Sequence, residues 1–146
     1  MSIWHDELEF ELLRLEDARV DSDYMTFVIS SVLNKYGIFH QCRLGYAEDL
    51  QSGTMTLPHC WIELEQGWFI DLALRRWLDD ENDIPHGVFQ PSKYPRVRYR
   101  GLPLQAPGLD EDELTSFTDG RHKEVRISQP LTHAAHVLRY KRREAI

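Results

Sequence analysis

With 146 residues, a formal net charge of −7 and 42% hydrophobic residues, the chain has the size and balance of one folded domain, not of a disordered or fibrous protein. No run approaches the roughly 18 apolar residues of a membrane span, and the start Met1-Ser2-Ile3-Trp4-His5-Asp6-Glu7 turns acidic at once, unlike a signal peptide. The negative charge argues against nucleic acid as a partner, and two cysteines, Cys42 and Cys60, are too few for a disulfide framework, so a cytoplasmic protein with reduced thiols is expected.

The first element spans 4–15. Trp4, Leu8, Leu12 and Leu15 follow helical spacing, while Leu8, Phe10 and Leu12 alternate like a strand. Its length and Glu-rich polar face favour a helix. From 23 to 36, Met25, Val28, Ile29, Val32, Leu33 and Tyr36 form one continuous helical stripe. Asp21, Ser22 and Asp23 suit the start of that helix, and Gly37 suits its end.

Three strands are expected at 38–46, 59–65 and 68–74, the last two joined as a hairpin around Gln66-Gly67, with 47–58 as a loop. The acidic stretch 79–83 is expected to be a solvated loop. A short strand is expected at 96–100, irregular chain at 103–108, and helices at 110–117 and 131–143. Helices followed by a strand meander point to an α+β domain with an antiparallel sheet. The expected core centres on Val28, Ile29, Val32, Leu33, Ile62, Leu64, Ile70 and Leu72.

The parity of the hairpin matters. A two-residue turn would pair Ile62 with Asp71 and put Asp71 on the face opposite His59. A three-residue loop, Glu65-Gln66-Gly67, pairs Trp61 with Asp71 and gathers His59, Trp61 and Asp71 on one face. It also collects Cys60, Ile62, Leu64, Trp68, Ile70 and Leu72 on one apolar face. The odd loop is therefore expected.

A histidine opening one strand and an aspartate closing the next suit proton transfer, because the carboxylate orients the imidazole and supports its charged form. Such a pair needs a nucleophile, and Ser22 at a helix start is a candidate position. Metal binding by His40, Cys42, His59 and Cys60 is disfavoured. The pairs lack the usual spacers, and adjacent strand residues point to opposite faces. His133 and His136 lie one helical turn apart with no third ligand in view. No metal or cofactor is expected.

The segment His59-Cys60-Trp61-Ile62-Glu63 followed by Trp68-Phe69-Ile70-Asp71 resembles the transglutaminase-like superfamily, which shares its core with papain-like cysteine proteases. Members place a cysteine at the start of a helix ending near Gly-Ile. A His-x-Trp-x-Glu-type strand and a strand ending in Asp come later. Here Gly37-Ile38 ends the helix, and counting fifteen residues back from Gly37 reaches Ser22. The resemblance covers 21–73. It implies a single transglutaminase-like domain with a core at about 21–100 and a C-terminal extension carrying the 131–143 helix. It implies Ser22, His59 and Asp71 as catalytic residues, and Trp61 as a substrate-binding wall of the cleft; the other reading of Trp61 is a core residue.

The implied activity is acyl transfer on a peptide or protein substrate, by hydrolysis, deamidation or transamidation of a peptide bond or side-chain amide. Serine stands where the family has cysteine. It reads as a natural nucleophile, as a substitution of a natural cysteine, as a pseudoenzyme change, or as a plain N-cap in an unrelated fold. The alternative function is an inactive binding, adaptor or inhibitor module on the same fold. The tail Arg139, Lys141, Arg142, Arg143 and Glu144 carries +3 and leaves −10 on the rest. It reads as a solvated helix end, or as a docking site for an acidic protein partner.

Overall fold

The computed structural model describes residues 3–78 and 82–130. Helix α1 (Ile3–Leu12) runs into a 3₁₀ turn, Leu13–Leu15. Leu8, Leu12 and Leu15 are buried at helical spacing while Phe10 faces solvent, which decides the first element as helix.

Helix α2 (Ser22–Lys35) buries Met25, Val28, Ile29, Val32 and Leu33 along its stripe. It starts after Asp21, whose backbone is extended and whose side chain makes no capping bond. Gly37 ends it at φ +68. The Gly37 N–H donates to Asn34 O and the Ile38 N–H to Leu33 O, so two end carbonyls of the helix are satisfied.

Five antiparallel strands follow: β1 (His40–Asp49), β2 (Met55–Leu64), β3 (Phe69–Asp71), β4 (Gly87–Phe89) and β5 (Val97–Leu104), in the sheet order β4-β3-β2-β1-β5. Helix α3 (Glu111–Thr118) is held by a capping box between Asp110 and Glu113. The architecture is the expected α+β class.

The β2–β3 connection is the three-residue loop Glu65–Gly67, with Gln66 and Gly67 both at positive φ. The Leu64 N–H donates to Trp68 O, and Ile62 pairs with Ile70. That is the odd register. It puts Cys60, Ile62, Leu64, Ile70 and Leu72 toward α2, in one cluster with Cys42 and the α2 stripe except for Cys60, which lies at its margin. Every residue of the expected core is buried. The cluster also takes in α1 residues, Leu114, Val125 and Ile127.

Several boundaries differ from expectation. β1 starts at His40 because the Ile38 N–H is used by the helix cap. The expected loop 47–58 is mostly strand. Ala47, Glu48 and Asp49 pair with Tyr99, Arg98 and Val97 of β5, and β2 begins at Met55. Leu57 and Pro58 oppose Tyr46 alone, so proline falls at a bulge where its missing N–H is tolerated. The 96–100 strand extends to Leu104 and carries Pro103 on the outer strand of the sheet. β4 was not anticipated from the sequence. Asp83 is not simply solvated, since Arg96 donates to both its oxygens. The expected helix 131–143 and the basic tail lie outside the described residues.

One close approach shapes the second face of the sheet. Gly45 opposes Gly101 across β1 and β5. A Cβ on Gly45 would lie 1.9 Å from Arg100 O, and one on Gly101 would lie 2.6 Å from the Trp61 ring. Two glycines let β5 curl inward, and Tyr99 comes within 6.1 Å, centroid to centroid, of Phe89 on the far edge strand β4. His59, Trp61, Phe69, Phe89, Tyr94 and Tyr99 make a continuous aromatic layer there.

Candidate active site

The odd register brings His59 and Asp71 together on the aromatic face. His59 Nε2–H donates to Asp71 Oδ2 at 2.6 Å. Both are buried, His59 at 0% exposure and Asp71 at 3%. The Tyr99 hydroxyl donates to the same Oδ2 at 2.9 Å, while Oδ1 accepts from the Ala73 and Leu74 N–H groups at 2.9 and 3.0 Å. β3 ends at Asp71, so the chain turns and the N–H groups two and three residues on, Ala73 and Leu74, point back onto its carboxylate.

These contacts decide the charge of Asp71. Burial alone would raise its pKa. Together the positive form of His59 and the hydrogen bonds from His59, Ala73 and Tyr99 outweigh burial and hold Asp71 below the ordinary carboxylate value. Tyr99 moves the other way: burial, then the Asp71 charge and hydrogen bond, raise its phenol well above 10. It remains a donor. In the neutral form of His59, with Nε2–H given to Asp71, Nδ1 is an acceptor, and among the described residues it is buried with no hydrogen-bond partner.

Ser22 is the first residue of α2, where its own backbone N–H has no partner within the helix. Its side chain borders a groove of about 450 Å³ walled by Asp21, Asp23, Leu44, Leu57, Cys60 and Trp77, among others. Cys60 follows His59 in β2 and points the other way, so strand alternation sets the groove and the His59–Asp71 pair on opposite sides of β2. No hydrogen bond joins Ser22 to His59. The structure therefore assembles two of the three expected catalytic residues and leaves Ser22 apart from them, on the other side of β2.

Of the two readings of Trp61, core residue and cleft wall, the structure places it in the core. At 2% exposure it packs against Tyr99 and Phe69, and its indole N–H is buried without a partner. It backs the His59 ring at a centroid distance of 6.0 Å and is not a wall of the groove. The aromatic wall is Trp77, 59% exposed.

The cysteines are poor substitutes for a nucleophile. Cys60 is pushed up to about 11 by burial and by the charges of Asp23, Cys42 and Asp71, and burial raises Cys42 as well. His40 belongs to a separate contact: its Nδ1–H donates to Ile38 O at 2.8 Å, and the Ser30 hydroxyl donates to its Nε2 at 2.7 Å.

Sequence reasoning missed Tyr99 and Trp77. Parity within the hairpin identifies His59 and Asp71 as partners. Nothing local marks a tyrosine in an arginine-rich strand as the third member of that cluster. Compared with known proteins, the chain matches no family model, no curated protein and no solved structure.

Proposed function

We propose that this chain is an acyl-transfer enzyme of the transglutaminase-like type, acting on a peptide bond or side-chain carboxamide. The observation that carries the reading is the buried His59, tied through Nε2 to a four-donor Asp71 and left with an unpaired Nδ1. A buried ring nitrogen without a partner is costly, and proton transfer is a reason to keep one.

In the proposed reaction the Ser22 oxygen attacks the substrate carbonyl carbon while Nδ1 of His59 takes the hydroxyl proton. The Ser22 N–H donates to the developing oxyanion. The proton passes from His59 to the departing amine or ammonia, leaving an ester on Ser22. Water or an amine then attacks the ester carbonyl, and Ser22 recovers its proton. Ser22 and His59 lie on opposite sides of β2, so the first step requires the head of α2 to move round that strand and bring the Ser22 hydroxyl to Nδ1.

A second reading, a binding module without chemistry, is favoured by one observation: Ser22 stands between two carboxylates and makes no bond to His59. A serine-directed fluorophosphonate separates the two. The enzyme reading expects a covalent adduct on Ser22, mapped by peptide mass spectrometry and absent from the Asp71→Asn variant. Recovery of an unmodified 21–36 segment under conditions that label a reference serine hydrolase would leave the binding reading.

A further inference from the structure

The groove at the head of α2 combines two features. Its walls include Leu44, Leu57 and Trp77, all exposed. Its rim holds Asp21 and Asp23, and among the described residues no lysine, arginine or histidine lines it. Asp21 makes no capping bond, and Asp23 accepts only from the Tyr24 N–H beside it. Among the described residues neither carboxylate has a cation partner. The Asp23 charge reaches into the groove, since it contributes to raising the Cys60 thiol.

Large apolar side chains exposed together mark a contact surface. Two unneutralised carboxylates beside them specify a cation, and repel acidic peptides. The indole of Trp77 offers a cation a second favourable face. The volume, about 450 Å³, suits a pair of side chains and not a large cofactor.

We propose that this groove binds an extended peptide segment in which a lysine or arginine adjoins a bulky aliphatic residue, the cation at Asp21 and Asp23 and the aliphatic group against Leu44, Leu57 and Trp77. As a statement about the substrate it rests on the acyl-transfer reading; as a statement about binding it stands on the groove alone. It also gives the acidic rim a purpose. Carboxylates beside Ser22 oppose any developing negative charge there. A bound cation offsets them, so the segment that fits also makes the site less hostile to reaction.

The test uses the full chain carrying Ser22→Ala, which cannot turn substrate over. Fluorescence anisotropy compares a labelled Gly-Leu-Lys-Leu-Gly peptide with its Gly-Leu-Gln-Leu-Gly and Gly-Ser-Lys-Ser-Gly counterparts. The lysine–leucine peptide is expected to bind about fivefold tighter than the glutamine peptide at low salt, the size of one half-exposed ion pair. That ratio should fall to one when Asp21→Asn and Asp23→Asn are added. Trp77→Ala should weaken both leucine peptides. Unchanged melting temperatures establish that the variants fold.

Equal affinity for the lysine and glutamine peptides would overturn the proposal, as would a preference that survives the double Asn change. It would also fall if the peptide bound only after residues 131–146 were deleted and the 131–146 peptide displaced it, since the occupant would then be the chain's own basic tail. Intact binding alongside an unlabelled Ser22 would remove the acyl-transfer reading and leave the docking site standing. A labelled Ser22 with no peptide preference would do the reverse.

Discussion

Asp71 is the residue on which the site turns. Four donors converge on one carboxylate, and only His59 among them is a candidate to move a proton. Tyr99 acts through Asp71: its hydroxyl takes a share of Oδ2 and closes the pair from the β5 side. Tyr99→Phe keeps the ring in the aromatic layer and removes only that bond. Losing a hydrogen bond to a buried charged group is expected to cost about 1.5–3 kcal/mol, read from a urea melt. An unchanged midpoint would show that Tyr99 contributes packing alone. The His59–Asp71 pair was legible in the sequence because both residues sit in one hairpin, where counting decides which face each takes. Tyr99 was not legible, because its partner lies 28 residues away and only the curl of β5 brings them together. Between core and cleft wall the sequence leaves Trp61 undecided. It is buried because the same curl seals the face it points to.

At the scale of elements, the β2–β3 loop decides whether a site exists at all. Its three residues hold Gln66 in the left-handed region, where a side chain is strained by about 1–2 kcal/mol. Gln66→Gly should therefore be neutral or slightly stabilising. Deleting Gln66 should shorten the loop, shift the register by one and turn Asp71 toward the apolar α2 face. The deletion is expected to abolish cooperative thermal unfolding, followed by circular dichroism, while Gln66→Gly retains it. A deletion variant that melts like the parent would show that the register is held elsewhere. The helix stripe, the hairpin and the apolar face were readable because each depends on neighbours in sequence. The limits of β1, β2 and β5, and the whole of β4, were not. Those limits depend on pairings such as Asp49 with Val97 and Phe69 with Phe89, which no local pattern encodes.

Across the whole molecule, α1 and the 111–127 region close over the α2 face, and the other face closes around the aromatic layer and a smaller cluster of Ala47, Leu74, Ile84 and Val97. Arg96 ties that second side together, bonding both oxygens of Asp49 and both of Asp83. Hydrogen bonds from Arg96, then from Ser52, hold Asp49 well below its ordinary value of 3.8. A carboxylate with a lowered folded pKa stabilises the fold fully above its unfolded value and loses that contribution as pH falls through the folded one. Asp49→Asn should thus cost about 2 kcal/mol near neutral pH, and the gap to the parent should shrink as pH drops below 3.8. A gap that stays constant in urea melts down to the acid limit would contradict this. The central claim, that His59 serves residue 22, is tested most directly in the thiol form of the site. In Ser22→Cys the helix dipole supplies about 0.3–1 kcal/mol toward thiolate, and Asp21 and Asp23 oppose it. His59 must then provide most of the activation. Alkylation of position 22 by iodoacetamide at neutral pH, mapped by mass spectrometry with buried Cys42 and Cys60 as internal references, is expected to fall about tenfold or more when His59→Ala is added. Equal rates with and without His59 would show that Ser22 only begins a helix, and the acyl-transfer account would lose its nucleophile.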